Sequence, residues 1–117
     1  MSIDQVRDVT ISQSQRLVPD PSSYDSVTAD WSEVEYRTIE LADDSLAGIW
    51  EGSGGSVGFD SWPYTEFCVL LEGRVAIIDA DGGRREFSAG QAFVVPRGFC
   101  GKWVTLKPSR KYFVAMR

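Results

Sequence analysis

Glu66-Phe67-Cys68-Val69-Leu70-Leu71, residues 66–71, is apolar on both of its alternating faces apart from its first side chain. Side chains along a strand alternate, so Glu66, Cys68 and Leu70 share one face and Phe67, Val69 and Leu71 share the other. A strand that is greasy on both sides is covered on both sides, as in two packed sheets or a barrel wall beneath a subunit contact. The pattern excludes an exposed edge, and it sets one carboxylate at the mouth of an otherwise apolar face.

Short β-like runs continue on both sides of this stretch, at Gly48–Glu51, Arg74–Asp79, Arg85–Phe87, Ala92–Val95, Lys102–Leu106 and Lys111–Met116. Turn signals separate them every 8–12 residues or so, which predicts an all-β sandwich or small barrel. Glu72-Gly73 is expected to close the strand before it, and Asp81-Gly82-Gly83 supplies the tolerance of positive φ that a hairpin needs. Gly52-Ser53-Gly54-Gly55-Ser56 reads as a flexible loop. Val57 stands where a phosphate-binding fingerprint requires glycine and no P-loop lysine follows, so neither a nucleotide nor any other cofactor is expected. Residues 1–45 are polar and acidic and broken by Pro19 and Pro21. They predict an arm with one edge or exchanged strand, where Val34, Tyr36, Ile39 and Leu41 punctuate charged neighbours. The predicted division is therefore an N-terminal arm over 1–45 and a barrel over 46–117.

A chain of 117 residues with 43% hydrophobic side chains builds one core. Seventeen acidic residues against twelve basic ones give a net charge of -5, which opposes a nucleic-acid partner. Arg84-Arg85 and Arg110-Lys111 are only pairs, read as solvated charges on strand ends and turns. The N-terminus lacks a basic region followed by an apolar one, and no apolar run approaches the roughly 20 residues of a membrane helix, so neither export nor membrane insertion is expected. Two cysteines, Cys68 and Cys100, are too few for a disulfide framework and point to a reducing compartment, the cytoplasm.

Two spacings name a scaffold. Glu66 is followed by six residues and Gly73; Gly90 is followed by five residues, then Pro96, Gly98 and Gly101. Together these resemble the two motifs of the cupin superfamily. Trp50-Glu51, Pro63-Tyr64-Thr65-Glu66-Phe67-Cys68, Leu71-Glu72-Gly73, Pro96-Arg97-Gly98-Phe99 and Lys102-Trp103 are similar to the subgroup that includes ureidoglycine aminohydrolase and the ethanolamine-utilisation Q proteins. The resemblance spans residues 47–116 and implies a double-stranded β-helix, the jelly-roll cupin barrel. In metal-binding cupins three histidines and the glutamate surround a divalent ion, yet this chain has no histidine. The equivalent positions fall on Asp60 and Trp62 (or Phe59 and Ser61), on Glu66 and on Gly101. Two carboxylates would hold a hard ion only weakly and cannot build a nitrogen-rich site, so no metal is expected.

Glu66 is the candidate catalytic residue, because a carboxylate on an apolar wall suits acid–base work. Its competing role is to neutralise Lys102 or Arg97. The candidate ligand-binding residues are Asp60, Trp62, Tyr64, Glu66, Cys68 and Trp103, with Trp50 and Phe93 in neighbouring strands. Cys68 and Cys100 would both approach the pocket mouth, where a thiolate pair recruits zinc, although a buried cysteine more often serves as a small hydrophobe. Three functions compete: a metal-independent module binding a small polar metabolite, an enzyme using Glu66 on a ureido, amino or sugar-like substrate, and a structural or regulatory protein with a closed pocket. A homodimer is expected under each.

Overall fold

The computed structural model describes residues 1–117. Its strands are β1 (Gln15–Leu17), β2 (Ser26–Val27), β3 (Ser32–Glu40), β4 (Leu46–Gly54), β5 (Ser56–Phe59), β6 (Thr65–Asp79), β7 (Arg84–Ser88), β8 (Ala92–Val95) and β9 (Gly101–Met116). The only helices are three single 3-10 turns at Ile3–Gln5, Ile11–Gln13 and Pro21–Ser23.

The spine of the fold is the antiparallel pair β6 and β9, hydrogen-bonded from Thr65 opposite Met116 to Asp79 opposite Gly101. The sequence reading split each of these into two strands and ended the first at Gly73. In the structure both strands continue and bend. Gly73 adopts φ +89, and a Cβ there would lie 2.2 Å from the Ser109 hydroxyl, so only glycine lets the strands approach so closely. The Ser109 hydroxyl accepts from the Arg74 amide at 3.1 Å and donates to the Lys107 carbonyl at 2.6 Å, which stitches the two bends together.

The bend divides the strands into two faces that share β6 and β9. One face has the order β1-β3-β4-β9-β6-β8 and the other β2-β5-β9-β6-β7, all antiparallel. β4 passes to β5 through Gly55 alone, at φ +81, where a side chain would strike the Trp31 amide. The stretch read as a flexible loop is thus mostly strand with a one-residue corner. Strands that change sheets at such corners make a jelly-roll β-barrel. The seam of the barrel lies between β7 and β8, which pair with different stretches of β6 and not with each other.

Trp50, Cys68, Leu70, Val75, Phe87, Val95, Trp103 and Phe113 form the core between the two faces. The N-terminal segment lies on the barrel: β1 covers the outer edge of β3, β2 extends β5, and the Arg7 guanidinium donates to the Thr38 carbonyl at 2.9 Å. β6 is central, yet its outward face is open, with Phe67 39%, Val94 53% and Val114 36% exposed in one cross-strand row.

Candidate functional site

Alternate positions of the strands converge on one end of the barrel. Strand β9 directs Trp103, Lys111 and Phe113 inward, β6 directs Glu66 and Cys68, and β4 directs Trp50. Strand β3 and the segment before it add Tyr24, Trp31, Glu33 and Glu35. Between them is a cavity of about 40 Å³, and all four tryptophans of the chain line it. A water needs about 10–15 Å³ and a benzene about 150 Å³ on such a scale, so the cavity takes a few waters or the end of a guest.

Its floor is an ion pair. The Lys111 ammonium donates to Glu66 Oε2, and both side chains are nearly fully buried. The same ammonium lies 3.9 Å from the Trp103 ring centre and 4.8 Å from that of Trp50, a desolvated cation–π arrangement. The Cys68 thiol completes the triangle, donating to Glu66 Oε2 at 3.3 Å with Lys111 Nζ at 3.6 Å. Burial opposes the Lys111 charge, but its anionic surroundings prevail and raise its pKa, keeping it an ammonium. The neighbours that raise it are Cys68 first and then Glu66; burial, reinforced by Glu66, in turn pushes the Cys68 thiol up.

Glu33 is spent on holding the wall. Its carboxylate accepts from the Tyr24 hydroxyl, from Trp31 Nε1 at 2.6 Å and from Trp50 Nε1 at 2.9 Å. Glu35 is half-buried and bound to Arg37 Nε at 3.0 Å; burial raises its pKa against the pull of that guanidinium. Tyr64 also faces the cavity, and its hydroxyl has no hydrogen-bond partner in the chain; burial first, then Glu66 and Glu35, hold it well above the ordinary tyrosine value. Three carboxylates against Lys111 and the Arg37 bound to Glu35 leave the cavity with one formal negative charge in excess.

Of the residues proposed from sequence, Trp62, Tyr64, Glu66 and Trp103 line this cavity, and Cys68 lies beneath its floor. Asp60 does not belong to it. It is exposed, its amide donates to the Asp25 carboxylate at 2.8 Å, and it lines a separate outer depression with Cys100 and Lys102. The two cysteines are likewise apart in character, Cys68 buried and Cys100 exposed, and form no pair at the mouth. Glu66 is neutralised by Lys111 and not by Lys102 or Arg97.

The sequence reading missed Lys111, Glu33 and Glu35. Period-two alternation through Lys111, Phe113 and Ala115 is the signal that assigns Lys111 to the inner face; reading Arg110-Lys111 as a solvated pair obscured it. No such signal marks Glu33 and Glu35, which look like ordinary charges on an exposed strand.

The metal positions of this scaffold fail on donor chemistry. Asp60 points away, Trp62 and Gly101 offer no ligand, and the one remaining carboxylate, Glu66, is bound to an ammonium that would repel a cation. No cluster of three or more His, Cys, Asp or Glu side chains is arranged to hold an ion elsewhere.

The EutQ-like cupin domain matches residues 40–113. The chain belongs to the EutQ-like cupin family. Among solved cupin-like structures, an ethanolamine utilization protein Q from Salmonella typhimurium superposes with a TM-score of 0.62 at 20% identity, covering 72% of this chain and 68% of that one. The Clostridium difficile EutQ protein gives 0.60 at 20% identity, covering 73% of this chain and 64% of that one, so this cupin spans slightly under two thirds of its length. A Rhizobium leguminosarum protein of unknown function gives 0.68 at 18% identity over 96% of this chain and 97% of that one. These likenesses establish the cupin fold. No curated protein matches the sequence, and no helix of this cupin is long and apolar enough to cross a membrane.

Proposed function

We propose that this cupin is a binding module whose barrel mouth receives the donor-bearing end, ammonium or hydroxyl, of a small polar metabolite. The observation that carries the reading is the convergence of Glu35, the unpartnered Tyr64 hydroxyl and the Glu66–Lys111 pair on one aromatic cavity with surplus negative charge. Such a cavity disfavours anions and favours a cation or hydroxyl, with Trp31 and Trp50 offering ring faces. In this reading Glu66 fixes Lys111 and is not free for proton transfer, since Oε2 is held by Lys111 and Cys68 while Trp62 Nε1 faces Oε1 at 3.4 Å. The similarity to ureidoglycine aminohydrolase is then one of scaffold, without that subgroup's metal chemistry. An amino alcohol has the matching chemistry, and the name of the Salmonella relative supports ethanolamine as the first probe.

The test is a tryptophan-fluorescence titration, because every tryptophan borders the cavity. Ethanolamine is expected to give a saturable change that Glu35→Gln and Tyr64→Phe each weaken about tenfold, the size of one lost charge-assisted or buried hydrogen bond. A flat titration, or unaltered affinity in both variants, would overturn the reading. The same proposal has two copies pair through the outer face of β6, β8 and β9, which the exposed row of Phe67, Val94 and Val114 supports.

A further inference from the structure

The seam between β7 and β8 holds a second concavity, about 440 Å³ in volume, that shares no lining residue with the cavity around Lys111. Its size lies within the roughly 300–1,000 Å³ usual for small-molecule sites. The two spaces are separated by Trp103, whose ring packs on Trp50 at 5.4 Å on one side and on Phe93 at 5.8 Å on the other. Inward alternation of β7 and β8 supplies the floor of the groove. Phe87 and Phe93 stack at 4.0 Å and 12°, flanked by Ile77, Val95 and Phe99.

The charges of the groove are the reverse of those in the cavity. Arg84 and Arg85 stand on its rim, and they differ in what they hold. Arg84 is bound to Glu86 at 3.1 Å, whereas Arg85 has no ion-pair or hydrogen-bond partner and lies over the Phe87 ring at 5.3 Å. The one acidic side chain of the rim, Asp79, is turned to its own hairpin, accepting from the Asp81 amide at 2.9 Å and the Gly83 amide at 2.8 Å. An exposed, unpaired guanidinium beside stacked aromatic rings offers an anion contact above an apolar bed. We propose that the seam binds a small carboxylate with a flat apolar body, its carboxylate on the Arg85 guanidinium and its body against Phe87 and Phe93.

Benzoate is the probe, with benzamide as its uncharged counterpart, followed by amide and indole NMR shifts of the full chain. Saturable shifts are expected at Phe87, Phe93 and Val95 while the Trp31 and Trp50 indoles stay still, which separates this site from the ethanolamine cavity. Benzamide, and the Arg85→Gln protein titrated with benzoate, are each expected to bind about tenfold or more weakly, while Arg97→Gln, an exposed change outside the groove, binds as the parent does. Equal affinity for benzamide, equal affinity in Arg85→Gln, shifts centred on the cavity tryptophans, or no saturable shift would each overturn the proposal. So would groove shifts that depend on protein concentration and ignore benzoate, since a second copy would then be the occupant.

Discussion

Lys111 is the residue around which the interior is arranged. A buried ammonium is tolerated only where a counter-charge and good geometry offset its desolvation, and Glu66 with the Trp50 and Trp103 faces provides both. Removing one partner is therefore worse than removing both. Lys111→Met, measured by urea denaturation, is expected to lose about 3–5 kcal/mol by stranding the Glu66 charge, while Lys111→Met with Glu66→Leu returns to within about 2 kcal/mol of the parent. A double variant no more stable than the single one would contradict the pairing. By the same logic Glu66→Gln leaves Lys111 buried without its counter-ion, so it is expected to lower stability. Glu66 itself was legible in the sequence as the lone carboxylate on an apolar face. Its partner was not, because the contact spans forty-five positions and register across two bent strands decides it.

At the scale of elements, the alternation through residues 66–71 correctly marked a central strand, but the cover it predicted on both faces is present only on the inner one, since Phe67 is 39% exposed; the run boundaries were displaced by the bends. Gly73 looks like a strand terminator in sequence because glycine usually marks a turn. Here it is the hinge at which β6 moves from one face of the barrel to the other. Gly73→Ala combines a positive φ with a Cβ 2.4 Å from the Pro108 carbonyl oxygen, and is expected to cost about 2 kcal/mol or more. A melting temperature unchanged from the parent would show that the bend relaxes freely. Strand β3 carries the other lesson of this scale. Its pairing with β4 opposes Glu35 and Trp50, so the supposed arm furnishes a wall of the site, which depends on pairing partners that composition does not disclose.

For the molecule as a whole, the barrel was legible through the family resemblance carried by the Glu66–Gly73 and Gly90–Pro96–Gly98 spacings, whose glycines Gly73, Gly90 and Gly98 all take positive φ. The sequence did not reveal two chemically opposite recesses, because their separation rests on where the Trp103 ring sits. The outer face is the remaining whole-molecule feature. Phe67→Glu places a charge amid the exposed row with Val94 and Val114, and sedimentation equilibrium is expected to convert a parent dimer to monomer without loss of fold. A parent that sediments as a monomer at millimolar concentration would refute pairing through this face. The account as a whole depends on a permanent internal cation paired with Glu66 inside the barrel. The chain has only three lysines, Lys102, Lys107 and Lys111, so side-chain nitrogen NMR can follow each through a pH titration. A raised native pKa means that the stability contributed by Lys111 is complete below its unfolded value, about 10.4, and is lost as pH rises through the higher native one. The account expects the lysine resonance displaced by Glu66→Gln, that of Lys111, to remain protonated above its unfolded value, about 10.4; a Lys111 that titrates below that value would contradict it.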